Sequence, residues 1–374
     1  MKLPKFQSLK KMVRRVKRRD LPPEPKELEE LEEIPRKFRT TLKGDRWLLH
    51  YDPEEDQRVI IFTTNQHLKL LARATYWVMD GTFKVAPHVV CQVYAIHGAV
   101  NGKWVPLFIV LMERKSRRTY EDVFEILKTE TRRRLRRELA PAKISTDYEQ
   151  SAIQAVRAAF PDADVAGCLF HFGQAQWRQL QGAGLAVAYR LEANEEMRAN
   201  FHSLIALAFV PVDDVEDAFD ALSEASVLNL QPIFDYVEEH YIRGRLRARR
   251  GGRVRRRTAP LFPPHIWNCY ERTLEGLPRT TDTCEAWHRR LSSLIGKHHP
   301  SFFVFLSQLQ EEVGEIGVHI TRAEGGHSPS KRRSQLEQTE RRIHRIVDRY
   351  QEYKVDDDIV AYLRAIGHNL AGYF

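Results

Sequence analysis

Three acidic side chains carry the sharpest chemical signal in this sequence. Asp80 closes the apolar run Tyr76-Trp77-Val78-Met79, Asp147 follows the strand-like stretch Ala142-Lys143-Ile144-Ser145-Thr146, and Glu285 opens an amphipathic helical pattern. Carboxylates at the ends of separate elements can converge in space even when the sequence holds them far apart. Together they could hold two divalent cations against a phosphodiester, one activating the attacking oxygen and the other stabilising the leaving oxygen. That chemistry cuts and joins nucleic acid. Each residue also has a plainer reading. Asp80-Gly81 is a hairpin-turn signature, and Asp147 could help cap the next helix, because Thr146 and Glu149 have capping-box spacing. Glu285 could be an ordinary favourable acid in a first helical turn.

The surrounding pattern predicts the elements that must position these groups. Ile60-Ile61-Phe62 reads as a short strand, and Asn65 as the cap of a helix through Leu68, Leu70, Leu71 and Ala72. Three β-rich runs follow, Tyr76 to Asp80, Val89 to Val100 and Trp104 to Met112, and Asn101-Gly102 predicts that the last two pair antiparallel. A helix is expected over Tyr120 to Arg137, its closing arginines complementing the helix dipole. Then strand, helix, strand and helix alternate: Lys143 to Thr146, Tyr148 to Ala159, Asp164 to Gly167, and His171 to about Gln181. This order predicts an α/β fold with an RNase H-like mixed sheet, three antiparallel strands and then alternating helices and strands. In such a fold Asp80 and Asp147 are neighbours. Beyond residue 181 the β signal disappears and an all-helical insertion is expected. The expected organisation is a basic arm and Pro/Glu-rich linker (1–44), the first part of the core (45–181), the insertion with an Arg-rich loop (182–276), the second part of the core (277–322), and a charged helical tail (323–374).

Three blocks surround the acids. They are Trp77-Val78-Met79-Asp80-Gly81-Thr82-Phe83-Lys84; Ser145-Thr146-Asp147-Tyr148-Glu149 leading to Gly167-Cys168-Leu169-Phe170-His171; and Leu277-Pro278-Arg279-Thr280 with Glu285-Ala286-Trp287-His288-Arg289-Arg290. In order and spacing they resemble the transposase domain of Mutator-like elements, the MULE family, from roughly residue 45 to residue 310. The resemblance is to the branch in which a FLYWCH-type zinc finger often precedes this domain, and no such finger stands here. Where the family usually shows two asparagines and a valine, this chain has Thr281-Asp282-Thr283-Cys284. The resemblance implies a DDE transposase with Asp80, Asp147 and Glu285 as catalytic metal ligands. It further implies two Mg²⁺ or Mn²⁺ ions, double-stranded DNA (element ends and target) as partner, and strand transfer by the freed 3′ hydroxyl. A homo-oligomer holding two DNA ends is the corresponding expectation. Cys168, His171, Trp287 and His288 are implied as motif or structural residues near the site. Cys168 and His171 read first as structural support, a buried hydrophobe and a hydrogen-bonded core residue, and only secondarily, with Cys284 and His288, as a zinc set. Glu149, His288 and Lys84 are candidates for supporting the metal site or touching phosphate.

A net charge of +9 over 374 residues, 43% of them hydrophobic, fits a globular chain with an acidic partner, of which nucleic acid is the commonest. An anionic membrane surface fits the charge equally, but no apolar run reaches about eighteen residues, and the N-terminus lacks the apolar core of a signal peptide. An intracellular protein with no membrane span is expected. Four scattered cysteines predict reduced thiols. Nine arginines, Arg243, Arg245, Arg247, Arg249, Arg250, Arg253, Arg255, Arg256 and Arg257, form a glycine-loosened loop suited to phosphates. Its plainer reading is a solvating loop. Lys10, Lys11, Arg14, Arg15, Lys17, Arg18 and Arg19 suggest nuclear import or a DNA-backbone arm, or else the solvated face of a helix. Two functional classes follow: an active metal-dependent transposase, and a domesticated, catalytically inactive DNA-binding or regulatory protein on the same fold.

Overall fold

The computed structural model describes residues 21–248, 255–326 and 334–372. The basic cluster from Lys10 to Arg19 and the arginines Arg249, Arg250 and Arg253 lie outside the described residues. The strands ahead of the helical part are β1 (Leu48–His50), β2 (Val59–Phe62), β3 (Tyr76–Thr82), β4 (Gln92–Val100), β5 (Lys103–Met112), β6 (Lys143–Thr146) and β7 (Asp164–Gly167). By its internal contacts the chain forms two compact units. The first holds the described chain up to Ala142, Gln150–Ala163, and the described part of Thr283–Pro329. The second holds Lys143–Glu149, Asp164–Asp282, and the described part of Ser330–Phe374.

In the first unit β1 to β5 run antiparallel in the order β1-β2-β5-β4-β3. Asn101 and Gly102 turn the β4–β5 hairpin with φ of 48° and 72°, the left-handed pair that a two-residue hairpin turn requires. The strands are buried on both faces, and the two-residue period of the strand decides what each face meets. Tyr94 and Trp77 point to one side, where Tyr94 meets Tyr120 of the helix Arg117–Leu135 edge-on and Trp77 meets Phe160. On the other side Val93 and Ala95 join Trp287, Leu291, Ile295, Phe302, Phe305 and Leu309 in one apolar cluster. Asp80 is paired across the sheet with Ala95, and Val78 with His97, so these two pairs face the helix Asp282–Ile295 as well.

Two local readings change. Thr64, not Asn65, caps the helix Asn65–Leu71, its side chain accepting the His67 N–H at 3.1 Å. The stretch read as a linker before residue 45 is packed: Leu28, Leu31, Ile34 and Phe38 lie buried in the same cluster, and Phe38 stacks on Phe303. Their spacing of three and four residues is an apolar stripe that the surrounding prolines and glutamates disguise. The helix that carries Phe303 runs from Phe302 to Glu324.

In the second unit β6 and β7 pair in parallel. The chain then runs through helices such as Leu169–Gly182, Glu195–Ala206 and Val215–Glu224. The expectation of an all-helical stretch needs correction, because β8 (Leu246–Ala248) and β9 (Arg255–Arg257) form an antiparallel hairpin inside the Arg-rich segment. Hairpin pairing satisfies the backbone there whatever the side chains. The C-terminal helices close on this unit. Tyr350 donates to Asp214 at 2.8 Å, Arg279 pairs with Glu340 at 2.7 Å, and Gly367 lets the helix Ile359–Leu370 approach Ser203, whose backbone N a Cβ there would meet at 2.9 Å.

Candidate active site

Asp80 sits near the end of β3, only 4% exposed. Its Oδ1 accepts the N–H of Gly81 at 2.9 Å, and its Oδ2 lies 3.5 Å from Nδ1 of His288. His288 belongs to the helix Asp282–Ile295, one turn from Glu285. Residues three apart share a helix face, so Glu285 and His288 stand on the same side of the helix, and that side looks at Asp80. Glu285 is held more loosely, its side chain 21% exposed and 3.6 Å from the guanidinium of Arg289.

Beside this pair, His97 of β4 is fully buried, its Nδ1 3.1 Å from Sγ of Cys284 and its ring edge-on to Trp287. Burial lowers the pKa of His288 to about 4. It lowers that of His97 to about 3, with His288 adding to the effect. Both imidazoles are therefore neutral at physiological pH. His288 thus gives Asp80 a dipole and not a charge. The buried nitrogens His288 Nε2, His97 Nε2 and Trp287 Nε1, with Thr283 Oγ1, have no hydrogen-bond partner. Buried polar atoms left unsatisfied cost stability. His97 was not singled out from the sequence, although a histidine interrupting the apolar run Val93-Tyr94-Ala95-Ile96 was a readable signal.

Asp147 belongs to the second unit. Its Oδ1 accepts the N–H of Glu149 at 3.3 Å and lies 3.5 Å from the Thr146 hydroxyl, just before the helix Gln150–Ala159. In the same unit Cys168 is buried at the start of the helix Leu169–Gly182, its sulfur accepting both the N–H and the hydroxyl of Thr281 at 3.1 and 3.3 Å. The Leu169 N–H donates to the carbonyl of Arg279 at 2.9 Å. Two of the sequence blocks are thereby tied together, which gives Cys168 a structural role. Gly167 serves the same packing, because a Cβ there would lie 2.5 Å from the ring of Tyr148. The hydroxyl of the partly exposed Tyr148 is buried, and that burial pushes it well above the ordinary range. His171 Nδ1 is buried without a partner, and its ring meets Phe170 edge-on.

Lys84 is exposed just beyond β3. Arg243 is held by three acids, Glu216, Asp220 and Glu238, with a two-pronged contact to Asp220 at 2.6 and 2.7 Å. That clamp joins the hairpin to its helices. Arg245 pairs with Glu239, and Arg257 with Glu238 at 2.7 Å. Arg247 lies on β8, and Arg255 and Arg256 on β9.

Three carboxylates with no thiolate form the donor chemistry that hard cations such as Mg²⁺ or Mn²⁺ select. Among the described residues no group of three or more His, Cys, Asp or Glu side chains is drawn together as a metal cluster. This covers the Cys168, His171, Cys284 and His288 zinc set as well. Asp80 and Glu285, on a buried strand and the helix facing it, suit a hard cation by chemistry.

Residues 76–175 match the family model of the MULE transposase domain. The match supports a transposase-type function for this stretch, and a transposase domain implies DNA as its partner. The stretch contains Asp80, Asp147, Cys168 and His171, while Glu285 and His288 lie beyond it. No curated protein matches the sequence. Among the described residues no helix is long and apolar enough to cross a membrane.

Proposed function

We propose that this chain is a DDE-type transposase of the Mutator-like class, with an RNase H-like core interrupted by an insertion between the second and third acids. Asp80, Asp147 and Glu285 are the residues that would hold two Mg²⁺ or Mn²⁺ ions. The ions would supply an activated attacking oxygen and a stabilised leaving oxygen at a DNA phosphodiester. The observation that carries the reading is the buried Asp80, inside the segment matching the transposase domain and opposite the helix face that bears Glu285.

The protein's own groups have separable tasks. A low-dielectric seam raises the worth of every charge placed in it, and Asp80 stands in such a seam. His288, neutral and donating through Nδ1, would hold one carboxylate oxygen of Asp80 in orientation, as the outer partners of metal ligands do. Arg245, Arg257 and Lys84 would meet phosphates without reading bases. A homo-oligomer gathering two DNA ends, and nuclear import through the basic segment Lys10 to Arg19, complete the proposal.

The test is strand cleavage and transfer on supercoiled plasmid and on duplexes with candidate terminal repeats, with Mg²⁺ or Mn²⁺. Wild type is compared with Asp80→Asn, Asp147→Asn and Glu285→Gln. Metal-dependent products lost in all three variants support the reading. Products that persist in the variants would end it.

A further inference from the structure

Just past the end of β3 an aromatic ring stands in solvent. Phe83 is 45% exposed, with the ammonium of Lys115 4.9 Å from its ring centroid and the exposed Lys84 next to it. A second loop closes on the same place. Gly296, at φ 70°, ends the helix that carries Glu285, its N–H bonded to the carbonyl of Ser292 at 2.8 Å. That left-handed glycine is a common helix stop, and it turns the chain back toward β3. His299 then donates its N–H to the carbonyl of Lys84 at 3.2 Å, its Nδ1 lies 3.0 Å from the carbonyl of Ala86, and its ring stacks on His88 at 5.0 Å. Lys297 and His298 are exposed on this loop.

The result is an exposed aromatic ring with the Lys115 ammonium over it and Lys84 next in the chain, and a loop bearing Lys297 that is bonded through His299 to the backbone of Lys84 and Ala86. Neither Phe83–Val90 nor Gly296–Ser301 contains an acidic residue. An apolar protein partner would have to desolvate those lysines without compensation. A nucleic-acid strand would use both features, since every base has a face that stacks on an aromatic ring and its phosphates take the lysines. Phe83 stands three residues past Asp80, roughly 10 Å along an extended chain, so a strand held here would pass beside the carboxylate.

We propose that Phe83 is a stacking platform for an unpaired nucleobase, with Lys84, Lys115 and Lys297 gripping the adjoining phosphates. This rests on the transposase reading for the source of the strand, and it names the single-stranded state as what that site must accommodate.

The experiment is fluorescence anisotropy on the full chain in EDTA, with labelled oligothymidylate and an abasic phosphodiester oligomer of equal length. Phe83→Ala is expected to weaken oligothymidylate binding about ten-fold and to leave the abasic oligomer unchanged. Phe83→Trp should restore binding, with its indole fluorescence quenched on addition of oligothymidylate. Lys297→Ala should weaken both oligomers alike. An unchanged affinity of Phe83→Ala for oligothymidylate, equal losses on both oligomers, or no oligomer binding by wild type would overturn the proposal. No divalent metal is present, so the outcome is separate from whether the chain cleaves DNA.

Discussion

At the scale of single residues, chemistry and stability divide between the carboxylates and the buried histidines. Losing one metal ligand removes several kcal/mol of charge stabilisation, so Asp80→Asn, Asp147→Asn and Glu285→Gln should each lower cleavage at least a hundredfold. Their DNA affinity in EDTA, read by anisotropy, should stay near wild type. His288→Ala should cost roughly ten-fold in cleavage rate, with partial rescue by His288→Asn, whose amide can still donate to Asp80. His67 of the first unit and His202 of the second are buried, and burial alone for His67, and first of all for His202, lowers each pKa to about 4. The unfolded chain takes up these protons near its ordinary value of about 6.5, before the folded chain does. Stability is therefore full above that pH and is lost as the pH falls toward 4, by on the order of 3 kcal/mol for His67. Urea midpoints measured from pH 7 down to 4.5 should fall in wild type and fall less in His67→Gln.

At the scale of elements, the tightest constraints lie where a strand or helix leaves no room. Gly167 precedes Cys168 in the matched domain, and its missing Cβ makes space for the Tyr148 ring, which also packs edge-on to Phe262 at 4.8 Å. Gly167→Ala should therefore destabilise by about 1–3 kcal/mol, the usual cost of overpacking, visible as a lower urea midpoint with an unchanged slope. The Arg-rich hairpin has a different anchor. Arg243 meets Glu216, Asp220 and Glu238, so Arg243→Ala should cost on the order of 1 kcal/mol, since it leaves the half-exposed Glu216 and Asp220 without their cation while Glu238 keeps Arg257. Arg245→Ala and Arg257→Ala should instead act mainly on DNA affinity, and comparing thermal denaturation with anisotropy separates the two behaviours.

For the molecule as a whole, the charge of +9 and the proposed cation site govern the response to solution conditions. Counterion release makes the logarithm of DNA affinity fall linearly with the logarithm of salt, and removing two hairpin arginines should shallow that slope by about two. A ligand that binds only the folded state raises its melting temperature. Mg²⁺ or Mn²⁺ should do so for wild type and much less for Asp147→Asn, and EDTA should reverse the shift in differential scanning fluorimetry.

Much of this architecture was legible in local pattern. Asn101-Gly102 announced its hairpin, the apolar runs marked β3, β4 and β5 to within a few residues, and the blocks around Asp80 and Asp147 pointed to the transposase domain that residues 76–175 match. Such signals are readable because turn conformation and strand period are set by a residue and its near neighbours. Tertiary packing alone decided the rest. It buried Leu28 and Phe38 against a helix some 270 residues away in sequence, and it paired arginine-rich strands that no propensity favours. It also seated His288 on Asp80 and His97 on Cys284, because which side chains meet across a sheet depends on register and on the helix laid over it, and no residue carries either in its own sequence neighbourhood.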